Sequence, residues 1–135
     1  MRYLILSDIH ANLDALVSVL AEAARITYDR VLVLGDLVGY GAQPNEVVDR
    51  VRALEPVAII RGNHDKVAAG IEHAEGFNPV AQQAAEWTYR TLTEENRAYL
   101  ATRAVGPILV DALTEICHGS PVDEDAYITS EAAVL

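Results

Sequence analysis

The sequence predicts an α/β protein built on a parallel sheet, and three observations carry that expectation. Short β-rich apolar runs alternate with stretches whose apolar residues recur at helical spacing. The order strand, helix, strand, helix, strand is the one that right-handed crossovers turn into a parallel layer. Four of the apolar runs end in residues able to bind a cation, at the point where a strand would leave the sheet.

The first run, "YLIL" (3–6), is read as a strand. It is too short for the core of a leader, lacks a small-residue cleavage site, and leads straight into an acid and a histidine. Leu13, Leu16, Val17, Leu20, Ala23 and Ala24 then repeat at helical spacing, with Asn12 placed to cap the helix. "RVLVLG" (30–35) is the second strand, and the turn formers of "GYGAQPN" make the next loop. A helix from Pro44 to Arg52 turns Val47, Val48 and Val51 inward. "VAII" (57–60) is the third strand. Two helices follow over 79–92 and 93–103, the second capped by Thr93; Trp87 and Tyr89 either line a pocket or, the favoured reading, pack between helices. "PILV" (107–110) and "TEIC" (114–117) form a hairpin that leaves the parallel pattern. The chain has no internal repeat and no low-complexity tract.

Composition bounds the function. A chain of 135 residues suits one domain spanning 1–135, and 51% apolar residues suffice for a packed core. The formal charge of −10 argues against general attraction to nucleic acid or an anionic membrane surface. A phosphorylated substrate remains compatible, provided that bound cations neutralise the site. Cys117 is alone, so no internal disulfide forms, and a reducing cytoplasm is the expected compartment. No apolar run reaches the length of a bilayer span.

The chemistry collects at strand ends. The first strand leads to Asp8 and His10, the second to Asp36, the third to Asn63, His64 and Asp65, and the last to His118. In open α/β sheets, ligands sit beyond the carboxyl ends of the strands, so residues distant in sequence converge there. Taken singly, Asp8 reads as a helix cap and His64 as a satisfied histidine. As a set they fall 28 and 27 residues apart, about one βαβ unit each. A dinucleotide-binding half has the same alternation of elements, but "SDIHAN" lacks the glycines that admit a pyrophosphate.

"SDIH", "LGDLVGYG", "RGNHD" and "CHGSP", covering residues 1 to about 121, resemble the motifs of the calcineurin-like metallophosphoesterases. "GDLVGYGAQPNE" and "HGSP" are similar to the small bacterial and archaeal phosphodiesterases of that superfamily, including its diadenosine tetraphosphatase-like branch. The protein phosphatases instead carry Asp–Arg–Gly where this chain has Gly39, Tyr40 and Gly41.

The resemblance implies a β-sandwich flanked by helices, in four layers αββα, and hydrolysis of phosphate esters by a hydroxide bridging two divalent metals about 3.5–4 Å apart. Asp8 and His10 would hold the first metal, Asn63 and His118 the second, and the two oxygens of Asp36 would bridge them. Mixed oxygen and nitrogen donors suit Mn, with Fe, Zn, Ni or Co as alternatives. His64 resembles the family's non-ligand histidine, which bonds a phosphate oxygen or protonates the leaving oxygen. Asp65 either orients that ring or holds the loop. Arg61 either reaches a substrate phosphate or stands in solvent. Tyr40 either faces the substrate or packs over the metal loop. His73 has no motif around it and is expected at the surface.

The family's closing G-H-x-H motif does not follow His118, so each metal is one protein ligand short. Much of the second sheet is expected to be missing, leaving the first sheet partly bare. The expected explanations are a fragment of a longer protein, a short form completed by another chain or by dimerisation, or a degenerate, non-catalytic metal-binding module.

Overall fold

Valine and leucine at alternate positions give each short strand two apolar faces, which suits a sheet covered on both sides. In the computed structural model, which describes residues 1–131, strands β1 (Tyr3–Leu6), β2 (Arg30–Val33) and β3 (Ala58–Ile59) run parallel in the order β1-β2-β3. Tyr3 pairs with Arg30 and Leu6 with Val33; Leu32 and Val33 pair with Ala58 and Ile59.

Because strand side chains alternate, this register sends Leu4, Leu6, Val31 and Val33 to one face. Helices α1 (Leu13–Ala23) and α2 (Pro44–Arg52) cover that face with Leu16, Leu20, Val47, Val48 and Val51. The opposite face, carrying Leu32 and Ile60, meets Ile116 and the partly buried Ile108 and Val110. Those residues belong to the antiparallel hairpin of β4 (Ile108–Asp111) and β5 (Thr114–Ile116). The layers are therefore helix, parallel sheet and the start of a second β-layer. The expectation of a partly bare face holds at its edge, where Ile5 is 57% exposed.

Helices α3 (Asn63–Ala68), α4 (Pro79–Thr91) and α5 (Glu94–Ala101) lie between the sheet and the hairpin in sequence. Asn12 caps α1 by accepting from the Ala15 amide at 3.0 Å, and Thr93 caps α5 by accepting from Asn96 at 3.2 Å, as expected. A polar node centred on the buried Asn96 ties α2 to the later helices. The Asn96 side chain donates to Asn45 Oδ1 at 3.2 Å and to Asp49 at 3.0 Å. Asn45 donates to the Thr91 carbonyl at 3.0 Å and accepts from the Thr93 amide at 2.9 Å.

Three local expectations need correction. The third strand is only two residues long; Ile60 instead forms an isolated bridge with Ala104. The segment after it, to which the sequence reading assigns no element, contains a helix, since α3 starts at Asn63, where Asp65 reaches back to the Gly62 amide at 3.0 Å. Trp87 and Tyr89 do not fill the interior: they are 45% and 42% exposed, and Tyr89 lies under the Arg97 guanidinium at 4.5 Å. Among the described residues, no helix is long and apolar enough to cross a membrane.

Candidate metal centre

The loops after β1 and β2 stay laced together once the strands end. Asp8 N–H donates to Gly35 O at 3.1 Å, His10 N–H to Asp36 O at 2.9 Å, and Ala11 N–H to Leu37 O at 2.8 Å. Both loops bend sharply. Asp8, His10, Ala11 and Asp36 have φ of 54°, 49°, 53° and 52°, a left-handed conformation that ordinary residues keep only where surrounding contacts impose it. The third loop crosses within contact of the second. A Cβ on Gly62 would stand 2.0 Å from Asp36 Oδ1, so only glycine fits there.

These constraints bring five expected ligands together. His10 Nε2 lies 3.6 Å from Asp36 Oδ2 and 3.9 Å from Asp8 Oδ1. His118 Nε2 lies 3.5 Å from the same Asp36 oxygen and 3.1 Å from Asn63 Oδ1. Asp36, only 3% exposed, thus sits between two imidazoles, each contributed beside a further oxygen donor. Each ring spends its other nitrogen on a carbonyl: His10 Nδ1 donates to Val38 O at 3.1 Å, and His118 Nδ1 to Leu34 O at 2.7 Å. That choice of tautomer turns both Nε2 lone pairs toward the cluster, an outer-shell arrangement characteristic of metal-binding histidines.

The donor set fits divalent cations. Ligand atoms of Asp8, His10 and Asp36 lie within 4.8 Å of one another, and acceptors crowd together with few hydrogens between them. His118 shows the demand for positive charge directly. Its hydrogen bond to Asp36, helped by that carboxylate's charge, pushes its pKa up to about 9 against the opposing effect of burial. Burial alone would raise Asp36, but the hydrogen bond and charge of His118, with His64 adding to them, hold it below the usual carboxylate value.

The remaining expected residues separate. His64 is 5% exposed; its backbone N–H donates to Asp36 Oδ1 at 2.9 Å, and its Nδ1 is buried without a partner. Burial lowers its pKa, with Asp36 acting in the opposite direction. Asp65 does not touch that ring. Fully buried, it accepts from the Gly62 amide at 3.0 Å and the Val38 amide at 3.1 Å, and so clamps the loops that carry Asn63 and Asp36. Burial, with the nearby Asp36, raises its pKa to about 7. Of its two open roles, these bonds are those of the loop-holder, not of a group that meets substrate.

Arg61 neither reaches the cluster nor stands free in solvent. It forms a two-pronged pair with Glu124, at 2.9 and 3.2 Å. Beside it Lys66, almost fully buried, contacts Asp125 and Glu72 at 2.6 Å each and Glu124 at 3.5 Å. This network binds the segment after His118 to α3, and the sequence reading missed it. Tyr40 is 52% exposed, with its ring 5.0 Å from that of His10 and 4.7 Å from that of His64, so it both packs on the histidines and fronts the site. His73 is exposed, as expected.

The fold and this cluster define a calcineurin-like phosphoesterase: the chain belongs to that family, matching it over residues 1–128. It is 40% identical over 96 residues to the uncharacterized protein MJ0912 of Methanocaldococcus jannaschii, a match covering 71% of this chain and 39% of that protein. Among solved structures, it is similar to a metallophosphoesterase from Sphaerobacter thermophilus, with 42% identity and a TM-score of 0.78 over 95% of this chain and 51% of that one. The hypothetical protein PH1004 from Pyrococcus horikoshii OT3 gives 25% identity and a TM-score of 0.70, over 94% and 58%. The chain therefore spans about 39% to 58% of the length of these relatives.

Proposed function

We propose that this chain supplies the two-metal centre of a phosphoester hydrolase acting on a phosphodiester or a nucleotide. The observation that carries the reading is the Asp36 carboxylate set between His10 Nε2 and His118 Nε2, at 3.6 and 3.5 Å. Asp8 and His10 would hold one cation and Asn63 and His118 the other, with Asp36 available to both. Two divalent ions in such a site supply Lewis-acid charge for the phosphoryl oxygens and lower the pKa of water. Mn is the proposed ion, with Fe, Zn, Ni and Co next on the same donor chemistry.

The protein's own groups do the rest. Asp65 fixes the spacing of the Asp36 and Asn63 loops. His64, beside the metal ligands and lining the hollow over them, donates a hydrogen bond to a phosphate oxygen or to the leaving oxygen. Tyr40 limits water at the mouth. The substrate is a phosphorylated small molecule in the cytoplasm, and the charge of −10 works against nucleic acid.

Hydrolysis of bis(p-nitrophenyl) phosphate with Mn, abolished by chelation, tests the reading. Asn63→Ala and His64→Ala should each reduce it, and hydrolysis unaffected by either substitution rules out this site. His64→Ala should lower turnover more than metal content; equal loss of both would refute its contact with substrate. A second reading is a metal-binding module completed by another chain or a second copy. Bound metal without hydrolysis would decide for it.

A further inference from the structure

The hollow over the metal ligands, about 280 Å³, does not end at His64. It shares Tyr40, Asn63, His64, Asp125 and Tyr127 with a second hollow of about 360 Å³ on the far side of that ring. A phosphoester held at Asp36, with its bridging oxygen toward His64, extends its remaining group into this second space.

The walls of that space are specific in character. Phe77 stacks obliquely on His64, with ring centroids 4.6 Å apart, and Tyr40 approaches the same ring from another direction at 4.7 Å. Glu72, Glu75 and Asp125 line it as well, together with His73. Its one lysine, Lys66, is already held by Glu72, Asp125 and Glu124, and these carboxylates outweigh its charge. The nearest guanidinium, Arg61, is turned onto Glu124. A second phosphate or a carboxylate entering here meets three acids, a lysine already paired with two of them and, beyond His64, one imidazole, that of His73. An ammonium group meets aromatic side chains and carboxylates together, the two kinds of group that hold alkylammonium ions.

We propose that this second hollow is the subsite for the group esterified to the phosphate, and that it selects substrates bearing an ammonium group, such as phosphate esters of amino alcohols. The proposal rests on the phosphoesterase reading for its catalytic meaning. Binding of the ammonium group itself is independent of turnover.

The test uses choline chloride as probe on the full chain without metal, with equal sodium chloride as the control for ionic strength. Proton NMR follows the ring signals of Tyr40, Phe77 and Tyr127. Saturable shifts are expected in choline only, with affinity reduced about five-fold in Phe77→Leu and in Glu75→Gln. Glu75 is exposed, so its variant keeps the test valid where Phe77→Leu fails to fold. With Mn added, p-nitrophenyl phosphocholine should be hydrolysed with a kcat/KM about five-fold above that of a diester carrying a carboxylate at the same place. Non-saturable shifts, or shifts unchanged by Glu75→Gln, overturn the subsite. Failure of the phosphoesterase reading shows separately, as intact choline binding with no hydrolysis of bis(p-nitrophenyl) phosphate.

Discussion

Gly62→Ala tests whether the crossing of the loops sets the metal site. The backbone at Gly62 has φ of −100°, which alanine adopts freely, so the effect is purely one of space. The new methyl carbon would fall 2.0 Å from Asp36 Oδ1 and 2.5 Å from Asp36 N, where Cβ contacts below 3.0 Å essentially never occur. Either Asp36 or the Gly62 backbone must therefore retreat by about 1 Å. Asp36 Oδ1 is held by the His64 amide at 2.9 Å, and Gly62 N–H by Asp65 at 3.0 Å, so neither side yields without losing a buried hydrogen bond. Overpacking of this kind costs about 1–3 kcal/mol, or a fall of roughly 2–4 °C in Tm for each kcal/mol. A displacement of about 1 Å in a bridging ligand should weaken Mn binding by at least about ten-fold, given how steeply such sites depend on position. Calorimetric titration with Mn and thermal unfolding read the two effects. Gly76→Ala is the control: its φ is 91° with nothing near the added carbon, so it strains the backbone but should leave Mn affinity unchanged. Wild-type Mn affinity in Gly62→Ala would refute the account.

Other perturbations reach different parts of the structure. Glu124→Ala leaves Arg61 without its partner and Lys66 with one fewer; because the pair is largely buried, a loss of about 3 kcal/mol is expected in chemical denaturation, and a change within error would show the network to be idle. Asn12→Ala removes the α1 cap and should cost about 1 kcal/mol with metal content unchanged, measured by denaturation and elemental analysis side by side. Chelation of a metal-loaded sample should lower Tm by an amount that grows with the metal concentration before chelation, as mass action on the native state requires; a Tm indifferent to metal would mean that the cluster does not bind it.

The parts legible in the sequence are those fixed by local pattern. β1, α1 and α2 follow from apolar spacing, and Asn12 and Thr93 announce their caps. The gathering of Asp8, His10, Asp36 and Asn63 is readable because parallel strands deliver their ends to one edge; His118 arrives from the antiparallel hairpin, and its place follows from the motif alone. What was not legible depends on partners far along the chain. Arg61 meets Glu124 across 63 residues, and no local signal separates that pairing from a free guanidinium. Asp65 looked like a companion of His64, since adjacent residues invite that reading. In a helix they point in different directions, and the carboxylate turns back to Gly62 and across to Val38. The helix itself escaped notice because six residues give too little periodicity to recognise. Trp87 and Tyr89 were expected inside on apolar bulk alone, but α4 turns Ala81, Ala85 and Thr88 inward.

The Asn45–Asn96 node has a consequence for how the chain comes apart. The crossover helix and the last helical pair are joined by amide side chains, Asn96 buried and Asn45 half-buried, so an opening that frees one removes several hydrogen bonds of the other at once. Cleavage by a protease within 70–78, between α3 and α4, should accordingly leave two pieces that travel together through gel filtration. Amide exchange should then report a single cooperative block reaching from Pro44 to Ala101.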